Sequence, residues 1–178
     1  MTVLLLMYGC ALPGSSVIRV PGDAMVISGV PRYSHRAFHC GPAALASVLN
    51  YWSKRAGLEE RESPEEIAAA IYSEGARGTL GLDLELYASH LGYSTRQYSG
   101  SFDDLRSHAA RGRPLIIFVD YGYSVYQRNH FMVVTGYNES GIVVLSEGQP
   151  LYISVAQLEK PWEKTGNWTL LIEPSSPP

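Results

Sequence analysis

The sequence predicts an α+β chain in which helices come first and an antiparallel sheet follows. Between Cys40 and Arg111, apolar residues recur at helical spacing behind successive helix-start signals. From Leu115 onward, short runs rich in Val, Ile and Leu are separated by turn residues, which is the pattern of strands. The 178 residues, 46% hydrophobic and 17% charged, suffice for one buried core, so a single domain is expected.

Residues 1–10 hold the apolar run Thr2 to Tyr8, too short to span a bilayer, then Gly9 and Cys10. The run resembles the end of a bacterial lipoprotein signal peptide, with Cys10 as the lipid-accepting residue. An apolar strand with an incidental cysteine is the other reading. Residues 11–24, which include Pro13-Gly14-Ser15-Ser16, read as a tether. The domain is expected over 25–174, and the Pro/Ser end, 175–178, reads as a disordered tail.

Val17 to Val20 and Met25 to Val30 read as short strands, broken by Pro21-Gly22-Asp23 and ended by Pro31. A helix starts at Cys40, carries Ala44, Leu45, Val48, Leu49 and Trp52 on one face, and stops near Gly57. Ser63-Pro64-Glu65-Glu66 is a capping box that launches a second helix through Ile67 to Tyr72. A third helix is expected from Asp83 to Gly92, and a fourth from a Ser101 cap to about Arg111. Strands are expected at Leu115 to Val119, Phe131 to Thr135, Ile142 to Leu145, Tyr152-Ile153 and Trp168 to Ile172, with a short helix near Ser154 to Glu159.

The chemistry centres on His39-Cys40-Gly41-Pro42-Ala43-Ala44-Leu45. A thiol at a helix start meets unpaired N–H groups and the positive end of the dipole, so it is expected to lose its proton more easily than a free thiol. His130 opens the run Asn129-His130-Phe131-Met132-Val133-Val134-Thr135-Gly136-Tyr137 and is the candidate base. A Cys on a helix and a His on a strand, distant in sequence, suit nucleophilic catalysis in a cleft between helices and sheet.

The motif Cys40-Gly-Pro-Ala-Ala-Leu, the segment Gly112-Arg-Pro-Leu-Ile-Ile and the run from His130 to Tyr137 occur in that order. With them the chain resembles the papain-like, double-glycine leader peptidase-like family of bacterial cysteine peptidases, in a lipoprotein branch. The resemblance implies a papain-like fold with the site in the cleft, Cys40 as nucleophile and His130 as general base. It also implies a Gln before the Cys as oxyanion donor and an Asp after the His strand. Here the first position falls to His35, or Ser34, acting with the Cys40 backbone, and the second to Glu147 or Ser146, with Asn138 more distant.

The implied activity is hydrolysis of a peptide or amide bond through a thioester, with a peptide or protein as substrate and no cofactor. The location implied is the cell envelope, facing the periplasm and held to the membrane by lipid on Cys10. Transfer of the acyl group to an amine is a related outcome of the same chemistry. The missing Gln and Asp leave a non-catalytic, peptide-binding lipoprotein as the rival.

No His/Cys/Asp/Glu spacing suggests a metal site, and no glycine-rich phosphate loop occurs. A net charge of -3 with Lys and Arg scattered along the chain argues against nucleic acid. His39 is expected to point away from the site, and His90 and His108 to sit on helix surfaces. Asp120 reads as a turn residue at a strand end, and Tyr121 to Tyr126 as a lip over the site or a packed loop. Oligomeric state is not legible in the sequence.

Overall fold

The computed structural model describes residues 20–34, 39–59, 62–76, 78–124 and 126–175. Val17 and the lipid-accepting candidate Cys10 lie outside them, as does His35. Within the expected strand Met25 to Val30, Met25–Val26 forms β1. It is followed by α1 (Cys40–Arg55), α2 (Pro64–Ile71), α3 (Gly81–His90), β2 (Tyr93–Ser99), α4 (Phe102–Ala110), β3 (Leu115–Asp120) and β4 (Asn129–Tyr137). The chain then runs through β5 (Gly141–Ser146), β6 (Gln149–Ser154), α5 (Val155–Glu163) and β7 (Trp168–Pro174).

Three of these helices start on a complete capping box: Ser63 with Glu66, Ser101 with Asp104, and Ser154 with Gln157. Each serine accepts an otherwise unpaired N–H of the first turn, an interaction worth about 1 kcal/mol. The third helix starts at Gly81, earlier than Asp83, with Leu80 as an N-cap that makes no side-chain bond. Position 57 takes the left-handed conformation, φ 73°, that ends α1 where a glycine allows it.

Among the described residues, seven strands form one antiparallel sheet ordered β2-β7-β3-β4-β5-β6, with β1 paired to the far end of β4. β2 was not expected. Its polar run Ser94-Thr95-Arg96-Gln97 lacks an apolar alternation because the strand lies at the sheet edge, paired only with β7.

Alternation sends successive side chains of the central strands to opposite faces. On one face Ile116, Phe131, Val133, Leu145 and Leu170 pack against α1, α2 and α3 through Leu45, Leu49, Ile67 and Leu84. On the other, Ile117, Met132, Val144 and Leu171 pack against α4 and α5 through Leu105, Leu158 and Trp162. The helices thus cover both faces, and α1 crosses the middle of the first with its N-terminus beside the start of β4.

Candidate active site

Cys40 is the first residue of α1, half-buried. The preceding His39 makes no side-chain cap bond, and no acidic residue sits in the first turn, so the dipole there is not neutralised. The start of the helix is pressed onto the sheet: a Cβ at Gly41 would lie 3.2 Å from Thr79 Cβ and 3.3 Å from the Phe131 ring. The Thr79 hydroxyl there is buried without a hydrogen-bond partner.

The backbone N–H groups of Phe131, Gly41 and Cys40 itself lie near the sulfur, and each favours the thiolate. Burial is the larger effect and pushes the Cys40 thiol up, with the Glu147 carboxylate adding to the rise. The expectation that the helix start alone lowers this thiol is therefore corrected: desolvation outweighs the three donors.

His130 immediately precedes Phe131, so the residue whose N–H meets the sulfur adjoins the imidazole-bearing residue. It is half-buried and pairs with Val119 of β3 at the end of the sheet. Its Nε2 lies 2.9 Å from the Ser146 hydroxyl, which leaves Nδ1 as the other ring nitrogen.

The link to Ser146 is set by the turn between β5 and β6. Ser146 pairs with Gln149, and Glu147 and Gly148 between them both take positive φ, 52° and 74°, the geometry of a two-residue type I′ turn. Ser146 therefore ends the strand and meets His130. Glu147 occupies the turn, exposed, and lines the pocket beside Cys40 instead.

That pocket is a narrow, shallow cleft between Tyr33, Cys40, Ser47, Phe131, Glu147 and Gly148. Tyr33 and Ser34 lie across the turn so closely that a Cβ on Gly148 would sit 2.9 Å from the Ser34 nitrogen. Of the two, Tyr33 forms pocket wall, whereas Ser34 is exposed. Tyr33 was not singled out by sequence. Its hydroxyl accepts from Asn50 Nδ2 at 2.8 Å, and the fully buried Asn50 also exchanges hydrogen bonds with the Glu62 backbone at 2.7 and 3.2 Å.

The remaining candidates lie apart from the pocket. The His39 ring meets Tyr72 edge to face, 5.6 Å between centroids. Asn138 is at the other end of β4, bonded to Asp23 and Tyr152. Asp120 accepts from the N–H groups of Gly122 and Arg128, a turn role, and Tyr123 and Tyr126 stand 87% and 80% exposed. His90 is exposed as expected, but His108 is buried under the α4–β3 turn. Among the described residues, no cluster of three His, Cys, Asp or Glu side chains is placed to hold a metal, and no helix is long and apolar enough to cross a membrane.

The fold matches solved structures of low identity. The peptidase domain of Streptococcus ComA, a bi-functional ABC transporter involved in a quorum sensing pathway, aligns with a TM-score of 0.64 and 22% identity over 83% of this chain and 100% of its own. A Bacillus anthracis protein assigned as a C39-like peptidase aligns with a TM-score of 0.66 and 15% identity over 87% and 100%. A double glycine motif protease from an AMS/PCAT transporter, solved with a leader peptide, gives 0.55 and 20% over 84% and 95%. No curated relative matches the sequence. The model of the Peptidase_C39 like family matches residues 27–169. With that match spanning most of the chain and the fold agreeing, the protein belongs to the Peptidase_C39 like family.

Proposed function

We propose that the chain is a cysteine peptidase in which Cys40 attacks a peptide carbonyl and His130 handles the proton. The observation that carries this reading is the placement of the Cys40 sulfur at the mouth of α1, against the N–H of the residue that follows His130. Because burial keeps the resting thiol protonated, His130 acts as a general base: Nδ1 takes the proton as the sulfur attacks, while Ser146 accepts a hydrogen bond from Nε2–H. The tetrahedral oxyanion meets the N–H groups at the start of α1. The imidazolium then protonates the departing amine, a thioester remains, and water activated by His130 releases the acid.

The substrate is a peptide. Its class follows from the narrow pocket, walled by Tyr33 and Phe131, which favours small residues beside the scissile bond, such as the glycine pair named for a structural neighbour. Lipid on Cys10 would hold the enzyme at the periplasmic face of a membrane.

The test is cleavage of quenched fluorescent peptides carrying Gly-Gly, Ala-Ala or Leu-Leu before a common sequence. Cleavage after Gly-Gly that is lost in Cys40→Ala supports the reading. Absence of cleavage of all three, with a folded chain, overturns it.

A further inference from the structure

Four of the arginines that are scattered in the sequence are gathered by the fold. Arg55 in the last turn of α1, Arg111 and Arg113 in the turn after α4, and Arg96 on β2 line two neighbouring hollows open to solvent, which share Ser94, Arg113 and Glu173. Register explains part of this. Ser94 faces Glu173 and Arg96 faces Leu171 across the β2–β7 pair, so the four side chains rise from one face of the sheet.

The turn that supplies the other two arginines is held on both sides. The N–H groups of Arg111 and Arg113 donate to the His108 carbonyl at 3.1 and 3.0 Å, and the Tyr51 hydroxyl donates to the Gly112 carbonyl at 2.6 Å. Arg55 lies over the same Tyr51 ring, 5.7 Å from its centroid. The frame is therefore fixed by backbone and ring contacts from α1 and α4.

Charge in the hollows is one-sided. Glu173, bound to Arg113 at 3.0 Å, is the single carboxylate among the described residues that line them, against four guanidinium groups in a chain of net charge -3. The smaller hollow is walled by His108, which is 7% exposed and whose Nδ1 has no hydrogen-bond partner. Burial, then Arg111 and Arg113, holds that imidazole neutral. Arg111 already donates to Ser107, Arg113 is bound to Glu173 and Arg96 lies over the Tyr98 ring, so an oxyanion here offsets the like charges and takes the guanidinium donors these contacts leave over.

We propose that this arginine-lined hollow binds a phosphate-type oxyanion at a site separate from Cys40. The 16 residues of α1 put about 22 Å between Cys40 and Arg55, so this ligand is not the peptide bond being cut. The inference does not depend on peptidase activity.

The experiment is titration of the full chain with inorganic phosphate, read from the histidine ring resonances in solution. The expected result is a saturable shift of His108 while His130 stays in place. Binding should weaken at least about tenfold in Arg96→Gln with Arg55→Gln, exposed residues whose loss leaves the Arg113–Glu173 pair intact. Glu173→Gln should tighten binding, since it removes the opposing charge. Vesicles of phosphatidylglycerol in phosphatidylcholine separate the sources: sedimentation of native protein but not of the double variant assigns the oxyanion to a lipid headgroup, and no sedimentation assigns it to a soluble phosphate. No saturable shift of His108 together with no variant-sensitive vesicle binding overturns the proposal. So does equal phosphate affinity in a correctly folded double variant.

Discussion

His130 Nε2 and the Ser146 hydroxyl lie 2.9 Å apart and join the start of β4 to the end of β5. A hydroxyl can accept from Nε2–H or donate to bare Nε2, whereas a carboxylate can only accept. Only the first arrangement puts a lone pair on Nδ1 to take a thiol proton. The neutral partner thus selects the useful tautomer less firmly than an acid would.

Ser146→Ala is therefore expected to lower kcat/KM about fivefold, the effect of one lost hydrogen bond of about 1 kcal/mol. Ser146→Asp should keep the orientation and raise the imidazole pKa. Since a general base works as the neutral ring, the acidic limb of the kcat/KM profile should move to higher pH in the Asp variant. An unmoved limb in a folded protein would remove Ser146 from its positioning role.

For the thiol, burial raises the Cys40 pKa, so the resting site holds SH rather than a thiolate. His130→Ala should reduce kcat/KM by about 10²–10⁴, the usual contribution of a general base, with little change in thermal midpoint because the ring lies at the end of the sheet. Alkylation of Cys40 in that variant should need higher pH than in the native chain. Rates measured against pH for both proteins decide this, and identical profiles would show that His130 does not serve the thiol.

Much of this site was written in local sequence. Gly41-Pro42 after Cys40 marks a helix start, and His130 before four apolar residues marks a strand start, because both signals depend only on near neighbours. The choice between Ser146 and Glu147 was not decided locally. It rests on a one-residue register that the positive φ of Glu147 and Gly148 fixes, and Glu-Gly between two apolar runs was the available sign of a two-residue turn. β2 was missed because an edge strand can be polar along its length, and the burial of His108 depends on the turn folded over it.

Asn50 ties three segments together: α1, Tyr33 on the pocket wall and Glu62 ahead of α2. Asn50→Ala strands the Glu62 backbone groups and opens a cavity, at a cost of about 2–4 kcal/mol. A chain of this length should then lose roughly 5–15 °C in Tm by calorimetry. A shift of under a degree would show that the buried amide is dispensable.

The proposed lipid on Cys10 carries its own test. In cells expressing the chain behind an intact lipoprotein signal, Cys10→Ser should move the protein from the membrane to the soluble periplasmic fraction, since more than one acyl chain is enough for stable anchoring. Cys40 alkylation should not change. Unaltered fractionation removes the anchor from the proposal.

Glu147 combines backbone strain with an unhelpful charge, so one substitution should improve two properties at once. A non-glycine residue at φ 52° costs about 1–2 kcal/mol, and Asn tolerates that conformation best, as the first residue of an Asn-Gly type I′ turn. Glu147→Asn should raise stability by about 0.5–1 kcal/mol, or roughly 1–4 °C in Tm. It also removes a carboxylate whose field raises the Cys40 thiol, so the pKa falls and alkylation at any fixed pH below it speeds up. Glu147→Gln separates the effects, because it removes the charge without relieving the backbone. It should accelerate alkylation and leave Tm nearly unchanged. If Glu147→Gln slows both alkylation and peptide cleavage, the carboxylate is serving the His130 side of the site after all, and Ser146 loses its place as the imidazole's partner.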